Sequence, residues 1–143
     1  MEFSGVTAIL GGEKVLHKNI QSQMDLIELS HKGIPKNALV NLAKYLSFTM
    51  NQIASLLSVT ERTIQRYTPQ QHFNGVVSEQ ILHIAFVAAK GTEVFGAKKK
   101  FLSWMNHPNK ALANKTPMSL LSSRFGVEMV LDELGRMEHG VFS

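Results

Sequence analysis

Apolar residues along this chain recur at helical spacing in short stretches, separated by turn formers, and no convincing run alternates apolar and polar positions as a half-buried strand would. Gly11 and Gly12 mark an early turn, and residues 1–21 read as irregular. Ser22 is placed to cap a short helix carrying Met24, Leu26, Ile27 and Leu29. Gly33 suits the left-handed residue that follows a helix, and Pro35 suits the first turn of the next. There Leu39, Leu42, Ala43 and Leu46 follow at helical intervals, and Thr49 and Thr60 are each placed to cap a further helix. Ser78 then opens a long apolar segment with Ile81, Leu82, Ala85, Phe86, Ala88 and Ala89, stopped by Gly96. Apolar residues cover more than half of its circumference, which predicts one side against the core and the other against a second subunit. A helix with Phe101, Leu102 and Trp104 ends before Pro108. Thr116 and Pro117 predict a helix start, and Val127, Val130, Leu131 and Leu134 define the last helix. The expectation is an all-α fold without internal repeats, divided into residues 1–75 and 76–143.

Residues 50–67 resemble a DNA-binding helix-turn-helix, and each key position has a packing reason. Ala54 is small where two helices approach most closely, while Ile53, Leu57, Val59 and Ile64 fill their junction. Thr60 caps the second helix, whose N-terminus enters the major groove in such units. The turn commonly carries Gly where this chain has Ser58, and a side chain in the left-handed region costs about 1 kcal/mol. Exposed candidates for DNA contact are Thr60, Arg62, Thr63, Gln65 and Arg66, with Glu61 beside them. Arginine reads guanine bidentately, glutamine reads adenine, and threonine and arginine also grip phosphates. The competing interpretation is an ordinary hairpin with a solvated polar face. One such helix reads few bases, so a homodimer on a two-fold operator is expected.

Composition narrows the function classes. At 143 residues the chain makes one domain, or two small lobes sharing a core. Absence of cysteine excludes disulfides, thiolate ligands and a thiol nucleophile. No leader pattern and no apolar run of about 20 residues stands in the sequence, so a cytoplasmic protein without a membrane partner is expected. A net charge of +4 is compatible with nucleic acid but weak as a signal. His17, His31, His72, His83, His107 and His139 are scattered without ligand spacing, so no metal site is expected. No phosphate-binding glycine loop or nucleophile elbow is present, and Asp132 with Glu133 reads as a solvent face; neither a catalytic residue nor a cofactor is assigned. Lys98, Lys99 and Lys100 suit DNA phosphates, an acidic partner or plain solvation.

The C-terminal part carries the more specific signal. Trp104, Pro108, Asn109, Leu112, Thr116, Pro117, Leu121, Gly126, Val130, Leu134, Gly135, Arg136, Gly140, Val141 and Phe142 stand in one order with compatible gaps. This set closely resembles the toxin-binding domain of the Xre/MbcA/ParS antitoxin family. Upstream, Leu10 to Gly12, Asp25 to Ile27 and Gly33 to Pro35 follow the order of that family's N-terminal regions. Family members commonly have a glycine pair where this chain has Ala113, Asn114 and Lys115. Taken singly, Trp104, Pro108, Pro117 and Gly126 have structural explanations.

The resemblance implies a small helical toxin-binding domain behind the helix-turn-helix. It implies further that the C-terminal end enters the active-site cleft of a RES-domain toxin that consumes NAD⁺. On that reading Val141 and Phe142 anchor a plug ending in a carboxylate at Ser143, with Arg136, Glu138, His139 and Gly140 around it. Expected partners are the RES-domain toxin, operator DNA upstream of the operon, a second copy of the chain and a larger toxin–antitoxin hetero-oligomer. The alternative is a stand-alone dimeric helix-turn-helix transcription factor whose C-terminal part only dimerises.

Overall fold

A computed structural model describes residues 3–140. Its organising element is a 21-residue helix, Gly75–Phe95, against which most of the rest of the chain is laid. In chain order the α-helices are α1 Phe3–Ile9, α2 Glu13–Leu16, α3 Gln23–Lys32, α4 Lys36–Leu46 and α5 Met50–Leu56. They continue with α6 Glu61–Arg66, α7 Gly75–Phe95, α8 Lys98–Met105 and α9 Arg124–Glu138. Short 3₁₀ turns at Lys110–Leu112 and Met118–Ser122 join α8 to α9. The fold is all-α, with the helix-turn-helix in the N-terminal part and a small helical C-terminal part.

The caps explain where the helices start. Ser22 accepts the Asp25 N–H, Thr49 and Gln52 close a reciprocal capping box, and Thr60 accepts the Thr63 N–H. Gly33 ends α3 with φ 98°, and Pro35 is the residue immediately before α4. Three sequence expectations are corrected. The described part of residues 1–21 is largely helical: α1 and α2 are joined by a turn at Gly11 and Gly12, and this segment buries Val6, Ile9, Leu10 and Leu16 in the core. These helices are too short for their period to show in sequence. The long helix starts at Gly75 under an Asn74 cap, three residues before Ser78. Thr116 and Pro117 open a 3₁₀ turn rather than an α-helix, with Thr116 Oγ1 accepting the Ser119 N–H.

Ser78 has a different job from starting a helix. It is fully buried; its hydroxyl accepts the Ile34 N–H at 2.8 Å and donates to the Phe73 carbonyl at 3.2 Å. That pins the α3–α4 elbow to the entry of α7 through otherwise orphaned buried backbone groups.

Most of the face of α7 expected to meet a second subunit is covered by the chain itself, although Val76 at its start is 82% exposed. Helices α1, α3, α4, α8 and α9 all pack on it, and Ile81, Ile84, Ala85, Val87 and Ala88 are buried. Apolarity around the whole helix thus marks a central core helix. Gly91 permits the approach of α8, since a Cβ there would lie 2.0 Å from the ring of Phe101. Phe101 is buried between α7 and Trp104, and Trp104, half-buried, packs its ring 5.6 Å from that of Phe95.

Candidate recognition helix and C-terminal module

The unit around α6 is built by local geometry and then fastened from outside. Ala54 and Ile53 are buried at the α5–α6 junction with Leu57 and Ile64, and Val59 packs against them partly buried. The turn places Ser58 at φ 56°, in the left-handed region where glycine is usual, and the Val59 N–H returns to the Ala54 carbonyl at 3.2 Å. After α6 the chain is tied to the start of α4: the Lys36 N–H donates to Gln71 O, the Asn37 N–H to Pro69 O, and Lys36 Nζ to Tyr67 O. A stacked Tyr67–Phe73 pair, 4.8 Å between ring centroids, backs this closure. The six-residue α6 would not hold by itself in water; these tertiary ties fix its orientation.

Thr60, Arg62, Thr63, Gln65 and Arg66 are all exposed, on or beside this helix. Thr60 and Thr63 are partly committed to the cap, their hydroxyls 2.8 Å apart. Gln65 Nε2 donates to Glu61 at 3.3 Å, so its amide must leave that carboxylate to read a base. Arg62 and Arg66 join no ion pair among the described residues, which leaves both guanidinium groups available to an anion.

The C-terminal module is organised around a tight crossing. Gly126 lies so close to the preceding turn that a Cβ there would stand 1.8 Å from the Leu120 carbonyl oxygen. Ser123 caps α9 by accepting the Gly126 N–H. Upstream, Ala113 and Asn114 both take positive φ, 58° and 63°, while the Asn109 side chain and backbone hold the loop closed through Ala111, Asn114 and Lys115. The geometry there is the one glycines adopt easily, although this chain has none at those positions.

At the end of α9 the expected contact residues are distributed unevenly. Arg136 is bound within its own helix to Glu133, with Nη2 2.7 Å and Nε 2.8 Å from that carboxylate. Glu138 meets Lys90 of α7 at 2.5 Å, and this partner holds its carboxyl below the usual range. Arg136 and Glu138 are therefore engaged inside the chain. His139 is exposed, and Gly140 turns at φ 70° with its N–H on the Met137 carbonyl. Val141, Phe142 and Ser143 lie outside the described residues.

One feature of α9 was missed in the sequence. Phe125 is 82% exposed and Met129 42% exposed, both on the outer face and at intervals of four and eleven residues from Phe125 to Met129 and Arg136. Their signal was available: they fall out of phase with buried Val127, Val130 and Leu134. Among the described residues, no three histidine, aspartate or glutamate side chains gather as a metal site, and no helix is long and apolar enough to cross a membrane.

Fold and surface together define a helix-turn-helix protein that carries a second helical module with an exposed apolar face. Residues 25–85 match the family model of the antitoxin Xre-like helix-turn-helix domain, and residues 90–140 that of the antitoxin Xre/MbcA/ParS C-terminal toxin-binding domain. The chain is similar to the antitoxin Xre of Yersinia enterocolitica, 30% identical over 120 residues covering 82% of this chain and 81% of that protein. It is also similar to the antitoxin Xre of Photorhabdus laumondii, 26% identical over 115 residues, 79% of this chain and 78% of that one. In fold it resembles a chain of the M. tuberculosis MbcT–MbcA toxin–antitoxin complex, at TM-score 0.54 and 17% identity, covering 87% of this chain and all of the other. The chain belongs to the Xre antitoxin family.

Proposed function

We propose that the protein neutralises a RES-domain, NAD⁺-consuming toxin in the cytoplasm by direct binding, and represses its own operon through α5 and α6. The carrying observation is the toxin-binding family match over residues 90–140, on a module whose outer α9 face exposes Phe125 and Met129. Aromatic and thioether side chains left in water are poor for a lone protein and good as interface anchors. The Lys90–Glu138 pair ties the last turn of α9 to α7. The stripe seats the toxin and the terminal residues, Val141 and Phe142 foremost, block its cleft. Inhibition of this kind needs occupancy and burial, not proton transfer.

Deleting residues 140–143 tests the blocking step: neutralisation should be lost while DNA binding persists, and unimpaired neutralisation sinks it. Phe125→Asp with Met129→Asp tests the seat, and should release the toxin in co-purification without unfolding the chain. The rival, a stand-alone transcription factor, predicts that no second protein co-purifies with either form.

Promoter repression is supported by the exposed, unpaired Arg62 and Arg66 on a capped helix. Reading an operator with so short a helix calls for two copies, and a larger assembly with toxin follows from two toxin-binding modules. Since most of α7 is covered within the chain, the exposed apolar residues Met24 and Ile27 on α3 and Val76 at the start of α7 are the ones open to a dimer contact.

A further inference from the structure

Lys44, Lys98, Lys99 and Lys100 are exposed, and none joins an ion pair among the described residues. Three of them fill the first turn of α8, where no acidic side chain offsets them and the helix dipole disfavours cations. Their arrangement therefore works against the stability of α8.

Position supplies a reason for them. Lys98 Nζ sits 4.6 Å over the ring of Tyr45, whose hydroxyl is hydrogen-bonded to Thr92 Oγ1 at 2.7 Å. Tyr45 and Lys44 belong to the last turn of α4, and three residues further on Thr49 caps α5, the first helix of the helix-turn-helix. Lys44 and Lys98 also line one groove of about 660 Å³ beside Asn41, Thr92 and a single carboxylate, Glu93. The start of α8 thus sits against the last turn of α4, just ahead of the α4–α5 loop. In three-helix DNA-binding units, the third helix enters the major groove while the loop between the first two lies on the phosphate backbone.

We propose that Lys98, Lys99 and Lys100, together with Lys44, form a second DNA contact that grips phosphates flanking the site read by α6. The start of the toxin-binding module then belongs to the DNA footprint. This inference rests on the helix-turn-helix reading above. Such contacts release counterions and add affinity without sequence preference.

The test uses the full-length protein and its Lys99→Ala/Lys100→Ala variant, titrated against a duplex of its own promoter region and an unrelated duplex of equal length. The slope of log affinity against log salt should be shallower in the variant by about two per protomer. Raising salt from about 50 to 200 mM then costs the wild type roughly tenfold more affinity than the variant for each bound protomer. The loss at low salt should be equal on both duplexes, whereas Arg62→Ala/Arg66→Ala should chiefly remove the preference for the promoter. A variant with wild-type slope and affinity overturns this inference alone, as does one that loses only toxin neutralisation. A wild type without salt-dependent binding to either duplex overturns the helix-turn-helix reading as well.

Discussion

Helices α6 and α9 carry the two sets of candidate contacts, and they treat charge in opposite ways. On α6, Arg62 and Arg66 point to solvent with no carboxylate partner among the described residues. On α9, Arg136 is taken by Glu133, and Glu138 by Lys90 across to α7. A polyanion is gripped by free cations because each neutralised phosphate releases counterions. A protein partner gains more from desolvated apolar anchors, while exposed ion pairs contribute little. The outer face of α9 has such anchors in Phe125 and Met129, and α6 has none. The contrast supports a polyanion as the partner of α6 and a protein as the partner of α9.

The sharpest way to break this comparison is to exchange the losses. Arg62→Ala with Arg66→Ala should cost about 2–6 kcal/mol of specific DNA binding, measured by gel shift at stated salt, and leave toxin neutralisation unchanged. If both activities fell together, α6 would be acting through the fold and the separation would fail.

Next in size is Gly126→Ala. The intruding carbon faces a backbone carbonyl at 1.8 Å, so the α9 start must shift away from the Leu120 turn. A loss of about 3 kcal/mol is expected in denaturant unfolding. The shift carries the Phe125–Met129 stripe with it, so toxin binding should weaken more than DNA binding.

Sequence legibility followed the reach of the interactions. Caps at Ser22, Thr49 and Thr60 were legible because each is settled within three residues. The α5–α6 hairpin was legible for the same reason. Helices α1 and α2 were not, since they are ordered by docking on α4 and α7 and not by their own period. The role of Ser78 was hidden because its partner, Ile34, stands 44 residues away. Apolarity all round α7 was visible, but the pattern does not say whether the chain or a second copy covers it. At the candidate site, the exposed side chains of α6 were legible from helix phase. The ties of Arg136 to Glu133 and of Glu138 to Lys90 were not, as the second depends on how α9 crosses α7.

A smaller effect compares the two turns. Ser58 at φ 56° and Ala113 at φ 58° each hold a side chain where glycine is easier. Ser58→Gly and Ala113→Gly should each stabilise the fold by about 0.5–1 kcal/mol, read as a rise in Tm. Their functional consequences should differ. Ser58→Gly alters the turn that aims α6 and should be visible in DNA affinity; Ala113→Gly should be silent there.

The smallest effect concerns the Lys90–Glu138 tie at the end of α9. Lys90 hydrogen-bonds Glu138 and holds its carboxyl below the ordinary value of 4.5. The folded state therefore binds a proton at this site less readily than the unfolded chain. The pair's contribution is fully present above the unfolded value and is lost as pH falls through the lower, folded one. Both side chains keep about a third of their surface in water and lie at the end of the helix, so the loss should appear as local fraying of the last turn of α9 rather than as global unfolding. Amide exchange at Met137 to Gly140 should accelerate as pH falls from about 5 to 3, once corrected for intrinsic rates. Glu138→Gln should show the faster exchange already at neutral pH and no further acid step. Lys90→Ala should return the Glu138 titration, followed by carboxyl NMR, toward its ordinary range. An unmoved titration would mean that Lys90 does not hold the Glu138 carboxyl and that the last turn of α9 is fastened by apolar packing around Leu134.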